Sequence, residues 1–126
     1  MSINFTDSVD LLTGESPESS DGVSITTTGT GYDVSKRQQI VVQFTSDDAT
    51  GSGAFTLDGS NDGSTWTTGL ACQDLTSATS TTFVTSKTLN SASSAAVKVP
   101  SGWRFIRAVC TVTTGGTYRA FMEAGG

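Results

Sequence analysis

Histidine is absent from the 126 residues, which excludes Ser-His-Asp and Cys-His nucleophilic sites. Cysteine occurs twice, at Cys72 and Cys110; without histidine this falls short of the four ligands of a structural zinc site. The two cysteines read as reduced, part-buried thiols or as a disulfide whose geometry sequence does not supply. Charged residues make up 15%, below the roughly one quarter of an ordinary soluble domain. The net charge of −5 leaves no clustered Lys and Arg for a phosphate backbone or an anionic membrane surface. No apolar run approaches the roughly 20 residues of a membrane span. The opening MSINFTDSVD carries acidic groups instead of a basic then apolar region, so no secretory signal is expected. The reading is of a soluble protein made in a cytoplasm, with neither nucleic acid nor membrane as partner. No cofactor and no metal are expected.

What is present is serine, threonine and glycine, the first two making up roughly a third of the chain. Low charge with many Thr, Val and Gly residues suits short strands and turns and disfavours long surface helices. The hydrophobic fraction of 35% fills one small core if every second strand residue points inward. The length allows one domain.

Residues 1–22 read as an N-terminal arm or edge strand, INFTDSVDLL, followed by the exposed loop GESPESSDG. The body, 23–126, reads as a sandwich. VSITTT (23–28) is a short strand. QIVVQFTS (39–46) places Ile40, Val42 and Phe44 on one face. DDATGS turns the chain into GAFTLDGS (53–60), with Phe55 and Leu57 inward, as a hairpin. One strand is expected at about 80–86 within TTFVTSKTL, and another in AAVKVP (95–100), ended by Pro100. WRFIRAVCTVTT (103–114), Gly115-Gly116 and TYRAFMEA (117–124) read as a second hairpin that brings Arg107 near Glu123. No segment has a helical period over 11 residues or more. The expected fold is an all-β, antiparallel, jelly-roll-like sandwich of seven to nine short strands.

The stretch DGSNDGSTW (58–66) is the richest in side-chain chemistry. Asp58, Ser60, Asp62 and Gly63 fit positions 1, 3, 5 and 6 of a calcium loop, but position 12 is Gly69, which has no carboxylate, and no helices flank it. A turn fits better: Asn61, Asp62 and Gly63 tolerate positive φ, Asx side chains bond their own backbone, and Trp66 closes over one end of the core. A third reading makes Trp66 a stacking platform for sugar. Asp47-Asp48 and Asp58/Asp62 both lie in turns, so neither pair reads as two acids facing a cleft. The glycines at 51, 53, 115 and 116 precede no helix and are not phosphate loops. No enzymatic activity is expected. Arg104, Arg107 and Arg119 gather on the last hairpin in this reading, either as ion pairs within the sheet or as contacts to an acidic neighbour.

SNDGSTW, then WRFIRAVCTVTTGGT and a last strand ending AFMEAGG, resembles the small jelly-roll capsid decoration, or cement, proteins of tailed bacteriophages. The likeness spans about residues 39–126, with FTDSVDLL a weaker match to the opening of such proteins. It implies a homo-oligomer, dimer or trimer, that binds across major capsid protein subunits on the virion surface after assembly in the host cytoplasm. Residues 1–22 would then serve as a latch that orders on binding. The S-DG-x-W turn is also similar to discoidin-like sugar- and lipid-binding domains, which implies a glycan-binding or tail-fibre module instead. A neck or head-fibre component would share the fold. Both cysteines fall in the wrong places for the terminal disulfide of discoidin-like domains.

Overall fold

The computed structural model describes residues 7–35, 37–48, 50–75 and 82–125. These contain eleven strands and no helix: β1 (Asp7–Asp10), β2 (Thr27–Thr28), β3 (Tyr32–Asp33), β4 (Gln39–Ser46), β5 (Ser52–Ser60), β6 (Cys72–Asp74), β7 (Phe83–Val84), β8 (Lys87–Leu89), β9 (Ser93–Val99), β10 (Phe105–Thr114) and β11 (Tyr118–Gly125). Sheet A has the order β1-β11-β4-β9-β6-β7, and sheet B the order β2-β10-β5-β8, with β3 also on β10. Every pairing is antiparallel. Four strands of sheet A, β1-β11-β4-β9, face β2/β3-β10-β5-β8 in the double Greek-key order of a jelly roll. The β6–β7 pair extends sheet A beyond it, and this pair together with the split of one position into β2 and β3 raises the count above the expected nine.

Alternation explains the core. In β4 the residues Ile40, Val42 and Phe44 are buried, while Gln39 and Gln43 face out. In β10 the buried set is Ile106, Ala108 and Cys110, and in β11 it is Tyr118, Ala120, Met122 and Ala124. Phe44 of sheet A stacks on Phe55 of sheet B with centroids 4.5 Å apart, and Tyr118 meets Phe55 edge-on at 6.1 Å. The Tyr118 hydroxyl donates to the carbonyls of Thr114 (3.1 Å) and Gly115 (2.8 Å), pinning the β10–β11 crossover to the core. Gly53 leaves the space for that ring, since a Cβ there would lie 2.7 Å from Tyr118 Cε1. Burial of each such large apolar side chain is worth roughly 1.5–3 kcal/mol.

Both expected hairpins are corrected. β4 pairs with β11 and β9, whereas β5 pairs with β10 and β8. The connection from β4 to β5 therefore carries the chain from sheet A to sheet B, and Gly115-Gly116 carries it back. Arg107 consequently lies opposite Asp58, and Glu123 lies opposite Ser8 and Val41. The single strand expected at 80–86 is also corrected. Phe83–Val84 joins sheet A and Lys87–Leu89 joins sheet B, with a change of sheet between them, and residues 80 and 81 lie outside the described residues. Of VSITTT, only Thr27–Thr28 is a strand, with Val23 in an isolated bridge to Tyr118.

Residues 7–12 are not a separable arm. β1 is the edge strand of sheet A, and Val9, Leu11 and Leu12 belong to the core. Asp10 ends β1 with no exposed surface. Its Oδ1 accepts from the backbone N–H of Leu12 (3.0 Å) and Ala120 (3.1 Å), and its Oδ2 from the Ser20 hydroxyl (2.5 Å). The loop 14–22 is mostly exposed, but Ser20 is buried as the anchor of this network. Of the expected latch, residues 1–6 lie outside the described residues.

Candidate functional site

The loop after β5 folds back over the outer face of sheet B. Thr67 bridges Gly59 through two backbone hydrogen bonds, and Leu70 N–H donates to the Leu57 carbonyl at 2.7 Å. This return lays Trp66 across β10. Asp58 points outward from β5 yet is only 2% exposed, because the returning loop covers it. Its Oδ2 accepts from Arg107 Nε at 3.0 Å and its Oδ1 from Gly69 N–H at 3.1 Å. The Arg107 guanidinium in turn lies over the Trp66 ring, 4.3 Å from the centroid. Beyond it, the far edge of the indole rests on Gly31, where a Cβ would come within 2.7 Å of Cη2. The result is a layered stack of carboxylate, guanidinium and indole, closed by bare backbone.

The turn itself is held by its own side chains. Ser60 Oγ donates to Asp62 Oδ1 (2.9 Å) and accepts from Gly63 N–H (2.9 Å). Asp62 Oδ1 also accepts from the N–H groups of Thr65 (2.7 Å) and Ser64 (2.8 Å). These donors, Thr65 first, hold the Asp62 carboxyl well below the usual carboxylate range. Gly63 takes the left-handed conformation at φ 78°, while neither Asn61 nor Asp62 does. Asn61 Oδ1 accepts from Arg104 N–H at 3.0 Å, tying the turn to the start of β10. The calcium-like spacing of Asp58 and Asp62 therefore serves two separate tasks, one carboxylate bound to Arg107 and the other to the turn's own backbone. Among the described residues no group of three or more His, Cys, Asp or Glu gathers at one point.

Trp66 is not the lid of the core. The half-buried tryptophan that packs against the core is Trp103, and it lies on Gly59, where a Cβ would come within 2.4 Å of the ring. The sequence signal for this was the glycine inside the β5 pattern, a mark of close approach.

The three arginines are likewise separated, because β10 and β11 belong to different sheets. Arg107 stands on sheet B. Arg119 stands on sheet A, 3.8 Å from Asp47 and donating to the Ser20 carbonyl at 3.3 Å. Arg104 is exposed just ahead of β10, with its guanidinium 5.1 Å from the Phe105 ring centroid. Cys72 and Cys110 are free, buried thiols in sheets A and B, each pushed up to about 11 by burial.

No family model and no curated protein matches the chain. Two solved structures share its fold. The SPBc2 prophage-derived protein YomS superposes with a TM-score of 0.73 at 12% identity, covering 100% of this chain and 97% of that one. The PBSX exported protein XepA superposes with a TM-score of 0.73 at 14% identity, covering 100% of this chain and 39% of that one.

Proposed function

We propose that the chain is a structural component of a bacteriophage particle, and specifically a capsid decoration protein that binds across neighbouring major capsid protein subunits. The observation that carries the reading is the end-to-end match with a prophage-derived protein, 100% of one chain on 97% of the other. The geometry supports a contact role over a chemical one. The carboxylates of the 58–66 loop and the guanidinium of Arg107 hold the domain's own structure. A small rigid sandwich that binds the assembled shell and not its free subunits shifts the assembly equilibrium toward the shell by linkage. In this reading the protein self-associates as a symmetric dimer or trimer and resides on the virion surface.

Glycan recognition is the second reading, favoured by the indole at 66 beside polar loop residues. It requires a free aromatic face, whereas Arg107 already covers the Trp66 ring on one side and Trp103 packs on the core. A neck or head-fibre position would use the same surfaces at lower copy number.

Co-sedimentation of the purified protein with assembled capsids of the encoding phage tests the proposal. Saturable binding at many copies per shell is the expected result. Failure to sediment, with sugar binding on a glycan array that Trp66→Ala abolishes, would replace decoration with the glycan reading.

A further inference from the structure

The outer face of sheet A is patterned symmetrically about β4. Strand register aligns Lys98 of β9, Val41 of β4 and Glu123 of β11 in one row across the sheet. Two residues along, Ala96, Gln43 and Phe121 form the next outward row. Lys98, Gln43 and Glu123 are exposed, and Val41, Ala96 and Phe121 are half-buried. Neither Lys98 nor Glu123 enters an ion pair among the described residues. One row thus carries opposite charges about 4.8 Å to either side of β4, and the next carries a large ring on one side and a small methyl on the other.

A twofold axis lying in the contact plane along β4 places β9 of one copy over β11 of the other. Lys98 of each copy then meets Glu123 of its partner, and Phe121 of each lies on Ala96. Val41 packs on its own counterpart. A twofold running across the strands would instead set Lys98 against Lys98. Charge and size together therefore select both the orientation and the occupant. We propose that this face is an isologous dimer interface between two copies of the chain, with β4 on the axis. Stacked sheets pack about 10 Å apart, and a twofold along β4 aligns the two central strands, which keeps the two rows in reach. The overlap about β4 takes in the five strands β1-β11-β4-β9-β6 and buries about 500 Å² per copy, at the small end for specific interfaces, so the dimer dissociates on dilution.

The inference rests only on the self-association part of the proposed function. Sedimentation velocity of the full chain, from low micromolar to submillimolar concentration, reads the equilibrium. Lys98→Glu and Glu123→Lys each create two like-charge contacts per dimer and should weaken it at least about tenfold. The double exchange restores the pairs in reverse and should return the dimer to near the original affinity, with all three variants melting like the original chain. A monomer at every concentration, a dimer indifferent to the single exchanges, or a double exchange that fails to rescue would each overturn the interface. Capsid co-sedimentation of the same proteins separates the two proposals. A monomer that still sediments with capsids removes the dimer and keeps decoration; a charge-dependent dimer that ignores capsids keeps the dimer and removes decoration.

Discussion

Arg107 and Asp58 stand directly opposite each other on β10 and β5, with Nε 3.0 Å from Oδ2 and the carboxylate almost fully enclosed. The pair bridges the central strands of sheet B on its outer face, and the 61–69 loop is built around it.

Removing one partner leaves the other stranded. Arg107→Ala leaves a buried carboxylate with the single N–H of Gly69, and breaking such a pair costs up to about 3–5 kcal/mol. The Arg107 side chain retains 23% exposure, so about 2–3 kcal/mol is expected, read from urea unfolding. Asp58→Asn together with Arg107→Met should recover most of that loss, because no buried charge is then left unpaired.

The two tryptophans should separate cleanly. Trp103→Ala opens a void above Gly59 at the end of the core and should destabilise by about 2–4 kcal/mol. Trp66→Ala loses a stacking contact and partial cover and should cost about 1 kcal/mol while the fold persists. Gly59→Ala should be destabilising by about 1–3 kcal/mol, since its methyl overlaps the indole. Equal losses for the two tryptophan variants in thermal melts would contradict this division.

The start of the chain belongs to the core. Deleting residues 1–12 removes Val9, Leu11, Leu12 and the Asp10 carboxylate, and should abolish the cooperative melt. Asp10→Ala alone strands the N–H groups of Leu12 and Ala120 and should cost about 2–3 kcal/mol. Ser20→Ala should cost less, about 1 kcal/mol. Hydrogen exchange at Ala120 in the Asp10→Ala protein tests the cause, because that amide should lose protection selectively.

Acid should weaken the 61–66 turn with a defined sign. Asp62 has a folded pKa depressed below its ordinary 3.8, so its contribution to stability is fully present above that value and is lost as pH falls through the folded pKa. Asp48, lowered by the N–H and hydroxyl of Thr50, acts in the same direction. The stability difference between the parent and Asp62→Ala should be constant from neutral pH down to about 5 and shrink below 4. A difference that grows on acidification would refute the turn-capping role.

Strand existence was legible where alternation was strong. β4 appears at its observed limits because Ile40, Val42 and Phe44 alternate with polar or outward-facing residues, and the same logic locates β10 and β11. Sheet membership was not legible. A turn such as Gly115-Gly116 reverses the chain equally well within one sheet or from one sheet to the facing one, and only the long-range pairing of β11 with β1 and β4 decides. That one ambiguity displaced Arg107 from Asp58 to Glu123. The 58–66 turn was recognised from its Asx and glycine residues, but the task of Trp66 depended on Gly31 and Arg107, which are far from it in sequence. The buried role of Asp10 was not legible locally, since beyond the nearby Leu12 N–H its partners are ten and 110 residues away.

β10 and β11 each join early strands to later ones: β10 lies between β2/β3 and β5, and β11 between β1 and β4. Without them the β4–β9 and β5–β8 pairs remain, but β1, β2 and β3 have no strand to pair with, so neither layer is complete. Folding is therefore governed by distant contacts, and slow by the standard of helical domains of this size. Loss of either strand should abolish the cooperative melt, because each ties strands from the first half of the chain to its C-terminal end.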